Sequence, residues 1–114
     1  MREAFNTSSV AQAAALAAMD DHAHLERTLA MVGAERAWLA NALEGLGLEV
    51  VPSVTNFLFV DLGPRAPEIH EGLHARGIVV RPLSAPGIAT RARSSLGSGA
   101  GSERLVAALE EILA

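Results

Sequence analysis

Cysteine and lysine are both absent from this sequence of 114 residues, and aromatic side chains make up only 4% of it. Without cysteine the chain has no disulfide, no thiolate nucleophile and no cysteine-ligated metal site. All nine cationic side chains are arginine, which excludes any mechanism that needs a lysine Schiff base or a lysine general base in this chain. Three phenylalanines and one tryptophan leave little to stack on bases. The net charge of −4, with arginines scattered along the chain, gives no basic stripe to neutralise a run of phosphates, so nucleic acid is not an expected partner. No apolar run approaches the roughly 20 residues of a membrane span. The stretch Met1-Arg2-Glu3-Ala4-Phe5-Asn6 carries an acid and an amide where a signal peptide needs its apolar segment, so a cytoplasmic location is the expectation.

What is present points to one folded domain on the usual length prior, since half the residues are hydrophobic and 19% are charged. Ser9-Val10-Ala11-Gln12 has the form of a capping box, and the alanine-rich run behind it predicts a helix over about Ser9 to Met19. Asp20-Asp21 marks a break or a fresh helix start. Leu25, Leu29, Val32, Leu39, Leu43 and Leu46 then recur in steps of three and four, with Arg36 in one slot, drawing one stripe along a long helix that Gly45 and Gly47 end.

Leu48–Val51, stopped by Pro52, and Asn56–Val60, stopped by Gly63-Pro64, read as strands, the second apolar on both faces and therefore central. Pro67 starts a helix on which Ile69 and Leu73 share a face and which Gly77 caps. Ile78-Val79-Val80 reads as strand, as does Arg91–Leu96. After the glycine-rich turn Gly97–Gly101, a helix capped by Ser102 faces Leu105, Val106, Leu109, Ile112 and Leu113 inward. The expected fold is α/β (α+β), a small mixed sheet covered by helices in the order α-α-β-β-α-β-β-α.

Two constellations could carry chemistry. His70-Glu71-Gly72-Leu73-His74 is an HExxH on a predicted helix, the spacing that lets two imidazoles hold Zn²⁺ beside a glutamate base in a zinc hydrolase. The same residues also read as the solvated face of a short amphipathic helix. His22 and His24, at alternate helical positions, point apart and read as surface. Arg81 directly follows the Ile78–Val80 run, and Arg91 and Arg93 alternate on the next strand, which puts those two on one face. Arginine suits bidentate recognition of carboxylate or phosphate, although exposed strand arginines also pair with surface acids. A third reading takes the Leu25 to Leu46 stripe as a non-catalytic helical association module.

Four segments in register resemble one family. Phe5–Ala14 is similar to the segment that opens the C-terminal small domain of histidinol-phosphate aminotransferases, with Ala4 where a proline normally precedes the Phe-Asn pair. Thr55–Val60 resembles the family's Asn-Phe strand, Gly77–Leu83 its glycine, hydrophobic strand and arginine signature, and Ala92–Ser98 its Leu-Arg-Ile-Thr-Val-Gly-Thr block.

The resemblance implies a pyridoxal-phosphate-dependent enzyme in which Arg81 and Arg93 bind the anionic end of a small phosphorylated or carboxylated amino substrate. Arg91 matches no required position, and Asn56 is expected to organise its strand and turn. The resemblance also implies a separate large domain that holds pyridoxal 5'-phosphate, a homodimeric parent, and a role for residues 1–114 as the small domain alone, inactive by itself for want of the Schiff-base lysine. Ser94, in place of a β-branched apolar residue, and Ser98–Ser102, in place of an acid-rich helix start, depart from the pattern.

Overall fold

A computed structural model describes residues 6–114, so Phe5 and the residues before it lie outside the described part. The described residues form two compact units, one ending at Met31 and the other spanning Val32–Ala114. In the first, helix α1 runs Ser9–Met19 and has no buried residue. Its cap lies one residue earlier than the sequence predicts: Ser8 Oγ accepts the Ala11 N–H at 3.2 Å, and the Gln12 side chain donates to the Thr7 carbonyl at 3.2 Å. Asp21 starts helix α2, His22–Gly45, by accepting the His24 N–H at 2.9 Å.

The predicted stripe on α2 is only partly used. Leu39 and Leu43 are 0% and 1% exposed, whereas Leu25 and Leu29 are 53% and 63% exposed. The stripe is thus core at one end and surface at the other.

In the second unit, strands β1 (Glu49–Val51), β2 (Phe57–Asp61), β3 (Arg81–Pro82) and β4 (Arg91–Ser95) form one sheet in the order β1-β2-β4-β3. Helices α3 (Ala66–Ala75) and α4 (Gly99–Leu113) complete the unit, and a 3-10 turn, Gly63–Arg65, leads into α3. β2 is central, as its apolar sequence predicts. Every hydrogen-bonded pair is antiparallel, which corrects the expectation of a mixed sheet. The crossover through α3 does return β3 parallel to β2, but β4 lies between them, so no parallel pair forms.

Leu58, Val60 and Ala92 point from the sheet into a core built with Leu39, Leu43, Ile69, Leu73, Leu105 and Leu109 from the helices. Gly72 lets α3 approach α4: a Cβ there would stand 2.9 Å from Ile112 Cδ1.

Two helices that feed strands end in the same way. Gly47 (φ 79°) and Gly77 (φ 70°) adopt the left-handed conformation, Gly47 N–H and Gly77 N–H bond to Glu44 and His74 carbonyls, and Leu48 N–H and Ile78 N–H reach back to Leu43 and Leu73 carbonyls. These are Schellman motifs with glycine at the residue past the cap.

The second motif explains a sequence reading that fails. Ile78–Val80 is apolar and β-branched yet forms no ladder, and β3 starts only at Arg81. The Ile78 N–H is spent on the α3 cap. Beyond it, a cleft of about 180 Å³ separates Ile78, Val79 and Val80 from Ser94 and Ser95. The last helix also differs: it begins at Gly99 with Ser98 at its cap position, and Ser102, expected as the cap, is buried within the helix.

Candidate functional site

The sheet face opposite the core gathers the charged and aromatic side chains of β2 and β4. Along β2 and β4 the side chains alternate, so Leu58, Val60, Ala92 and Ser94 are buried while Phe57, Phe59, Asp61, Arg91 and Arg93 share the other face, half-buried against one another. Cross-strand register sets their neighbours: Asp61 opposite Arg91, Phe59 opposite Arg93, and, on the other side of β4, Arg81 opposite Arg93. Residues directly opposite in an antiparallel pair project side by side. The two arginines expected to bind an anion are therefore brought together on one face.

The arginines of β4 have different surroundings. Arg91 Nε donates to Asp61 Oδ2 at 3.1 Å, and its guanidinium carbon lies 5.6 Å from the Phe59 ring centre. Arg93 lies 5.3 Å from the Phe57 ring centre in the same diagonal fashion. Its opposite residue on β2 is a phenylalanine rather than an acid, and its buried Nε has no hydrogen-bond partner.

Among the described residues the ion pairs are Arg65–Glu68, Arg76–Glu111 and Arg91–Asp61. No described carboxylate neutralises Arg81 or Arg93. Like charges set opposite one another destabilise a sheet, so this pair leaves positive charge uncompensated among the described residues.

Asp61 is a stable anchor for Arg91. Its carboxyl is held below the usual carboxylate range first by the Gly63 N–H, at 2.9 Å, then by the Thr90 side chain, with Arg91 adding to the effect. The turn entering β2 is knotted by hydroxyls: Ser53 Oγ donates to the Phe57 carbonyl at 2.7 Å and accepts the Thr55 N–H at 3.1 Å. Arg36, the odd member of the α2 stripe, donates to the Thr55 carbonyl at 2.8 Å and so ties the helix to this turn. Asn56 is exposed, and its backbone carbonyl accepts the Leu96 N–H at 2.8 Å where β2 begins and β4 ends.

The HExxH residues do not assemble a metal centre. His70, Glu71 and His74 line one open depression with Val79 and Pro82, but His70 Nε2 is buried without a partner. Burial pushes the His70 imidazole below its usual value. Among the described residues no group of three or more His, Asp or Glu side chains is placed to hold a metal ion.

Phe57, Phe59 and Asp61 were not singled out from sequence as site residues. Their signal is the alternation Phe57-x-Phe59-x-Asp61 matching Arg91-x-Arg93, which acquires meaning only once β2 and β4 are known to be neighbours.

Comparison with known proteins fits this arrangement. The family model described as aminotransferase class I and II matches residues 1–112. Histidinol-phosphate aminotransferase 1 of Mesorhizobium japonicum is 39% identical over 113 residues, covering 99% of this chain and 31% of that protein. A histidinol-phosphate aminotransferase of an Anaeromyxobacter species is 40% identical over 114 residues, again with 31% of its own length covered. The crystal structure of histidinol-phosphate aminotransferase from Sinorhizobium meliloti, in complex with pyridoxal-5'-phosphate, superposes with a TM-score of 0.86 at 30% identity, over 99% of this chain and 32% of that one. The chain thus spans about a third of the length of the relatives it matches.

Proposed function

The chain belongs to the class I and II aminotransferase family, and from that premise we propose that it is the small-domain portion of a histidinol-phosphate-aminotransferase-like enzyme, contributing Arg81 and Arg93 as the substrate's anion-binding pair. The observation that carries the reading is the opposed, unneutralised Arg81–Arg93 pair on a face where the neighbouring Arg91 is already matched by Asp61. A planar guanidinium offers paired donors to a phosphate or carboxylate, and two of them side by side give both charge and orientation. In this reading the parent transfers an amino group to or from a small phosphorylated or carboxylated substrate, works as a cytoplasmic homodimer, and holds pyridoxal 5'-phosphate in a separate large domain.

The residues of this chain do not themselves fit that cofactor. The chain contains no lysine to hold it covalently, and no step through the cofactor is assigned to these residues. Their part is to bind and orient the substrate's anionic end. The chain alone is expected to show no transamination.

Two measurements test the reading. Histidinol phosphate titrated against the chain should shift the Nε–Hε NMR signals of Arg81 and Arg93 together, and an R81Q/R93Q double variant should abolish the response. Addition of pyridoxal phosphate, histidinol phosphate and 2-oxoglutarate should give no turnover, and borohydride should fix no adduct on any side chain. Turnover by the chain alone, or a titration that leaves both arginines unmoved, refutes it.

A further inference from the structure

Arg91 and Arg93 are two residues apart on one strand, on one face, each laid diagonally over a phenylalanine of β2, at 5.6 and 5.3 Å from the ring centres. Only Arg91 has an acid at the opposite rung. The orientation of Arg93 has no ionic or hydrogen-bonded support: no described carboxylate reaches it and its buried Nε is unpartnered. Among the described residues, the directional contact it makes is with the Phe57 ring. A long side chain held by no partner samples many rotamers, and each must be given up when an anion binds.

We propose that Phe57 is a positioning residue for Arg93, its ring face holding the guanidinium over β2 so that the terminal nitrogens stay presented to an oxyanion shared with Arg81. The idea rests on the reading of Arg93 as an anion-binding group. Stacking uses the guanidinium's flat face and leaves its in-plane N–H donors free, which a carboxylate partner would consume. Asp61 illustrates the alternative on the adjacent rung, where the acid accepts the Arg91 Nε–H and offsets that residue's charge. A phenylalanine where an acid might stand therefore separates a ligand-facing arginine from a structural one. Phe57 itself is anchored by the turn, since its carbonyl accepts the Ser53 and Thr55 hydroxyls at 2.7 and 3.2 Å.

The test is a titration of the full chain with inorganic phosphate, followed by the arginine Nε–Hε signals, in wild type, Phe57→Leu, Phe57→Trp and Arg93→Gln. Phe57 is half-buried on the open sheet face rather than in the core, so Leu should be accommodated. In wild type the Arg93 Hε should lie upfield under the ring current, and phosphate should move Arg81 and Arg93 together. Phe57→Leu should abolish the upfield displacement and weaken phosphate binding about two- to fivefold, the range a partly exposed cation–π contact supports, whereas Phe57→Trp should keep the displacement and bind phosphate more tightly than wild type.

Loss of the ring-current shift with unchanged affinity overturns the proposal while sparing the anion-binding reading. Phosphate that moves neither arginine in wild type, or that binds Arg93→Gln as tightly, overturns the reading and the proposal with it. If Phe57→Leu does not fold, the Trp variant decides, because its larger π face should tighten phosphate and an unchanged or weaker constant refutes the role.

Discussion

Replacing Ser94 by valine should stabilise the protein, and the structure gives the size of the effect. Ser94 is 7% exposed on the core face of β4, and its hydroxyl makes no hydrogen bond among the described residues. It borders both the cleft of about 180 Å³ under Ile78–Val80 and a small void of about 20 Å³ among Leu43, Leu73, Leu105 and Leu109. Valine exchanges the hydroxyl for two methyl groups, worth about 1.6 kcal/mol at roughly 0.8 kcal/mol per buried carbon. The hydroxyl opens on the cleft and costs little to remove, while the stiffer side chain and imperfect fit subtract, leaving about 1.5 kcal/mol. For a domain of this size that raises the melting midpoint by about 7 °C.

The register Arg81↔Arg93 and Pro82↔Ala92, continued along the strands, places Val80 opposite residue 94. Filling the cleft should therefore lengthen β3 toward Ile78. Calorimetry and amide hydrogen exchange check both halves of the argument. A midpoint that is unchanged or lower, with no added protection at Val79, Val80 and Ser95, refutes the view that a small polar side chain at 94 leaves the strand splayed.

Asp61→Asn should cost about 1 kcal/mol at neutral pH by weakening charge-assisted hydrogen bonds at a partly exposed site. Because the Gly63 N–H, Thr90 and Arg91 depress the folded carboxyl below 3.8, its stabilising contribution is present above that value and lost as pH falls through the folded pKa; urea melts of wild type minus variant should converge toward acid, and a pH-independent difference refutes the assignment. His70 has the same proton balance, in a higher pH range. Burial lowers its pKa from 6.5, so the unfolded chain takes the proton first, and stability that is full above 6.5 falls as the medium is acidified toward the folded value. His70→Gln should flatten that loss between pH 7.5 and 5.5, and a variant with the wild-type slope refutes it. Gly72→Ala should forfeit the helix-propensity gain of about 1 kcal/mol because the new Cβ meets Ile112 Cδ1 at 2.9 Å; Ile112→Val in the same chain should recover it, and additive single effects in the double-mutant cycle would contradict that close approach.

The helices were largely legible because period and cap coincide: the alanine run, the α2 stripe and the Gly47 and Gly77 stops all sit where their local chemistry puts them. Failures arose where one backbone group had two possible uses. Ile78 reads as strand by side chain, but its N–H closes the preceding helix. Ser102 looks like a cap, yet the glycine-rich stretch before it is itself helical from Gly99.

At the site, the alternation of Arg91 and Arg93 was visible in the sequence, but which of them is engaged was not. That depends on Asp61 standing opposite Arg91 across 30 residues of chain, a fact of register rather than of pattern. The Arg81–Arg93 opposition likewise appears only after β4 is placed between β2 and β3.

The guanidiniums lying across Phe57 and Phe59 also bear on how separate copies of the chain treat one another. A flat sheet face with two bare phenyl rings would be adhesive, because rings and aliphatic side chains on an uncovered sheet recruit the same surface of another molecule. Laying Arg93 and Arg91 over those rings places permanent positive charge on the stickiest part of the face, and arginine keeps that charge at any pH the fold survives. Two such faces repel chiefly through Arg93, since the charge of Arg91 is offset by Asp61. Under the proposed anion-binding role, an anion that neutralises Arg93 would relax that repulsion, linking colloidal stability to ligand occupancy through the same side chain.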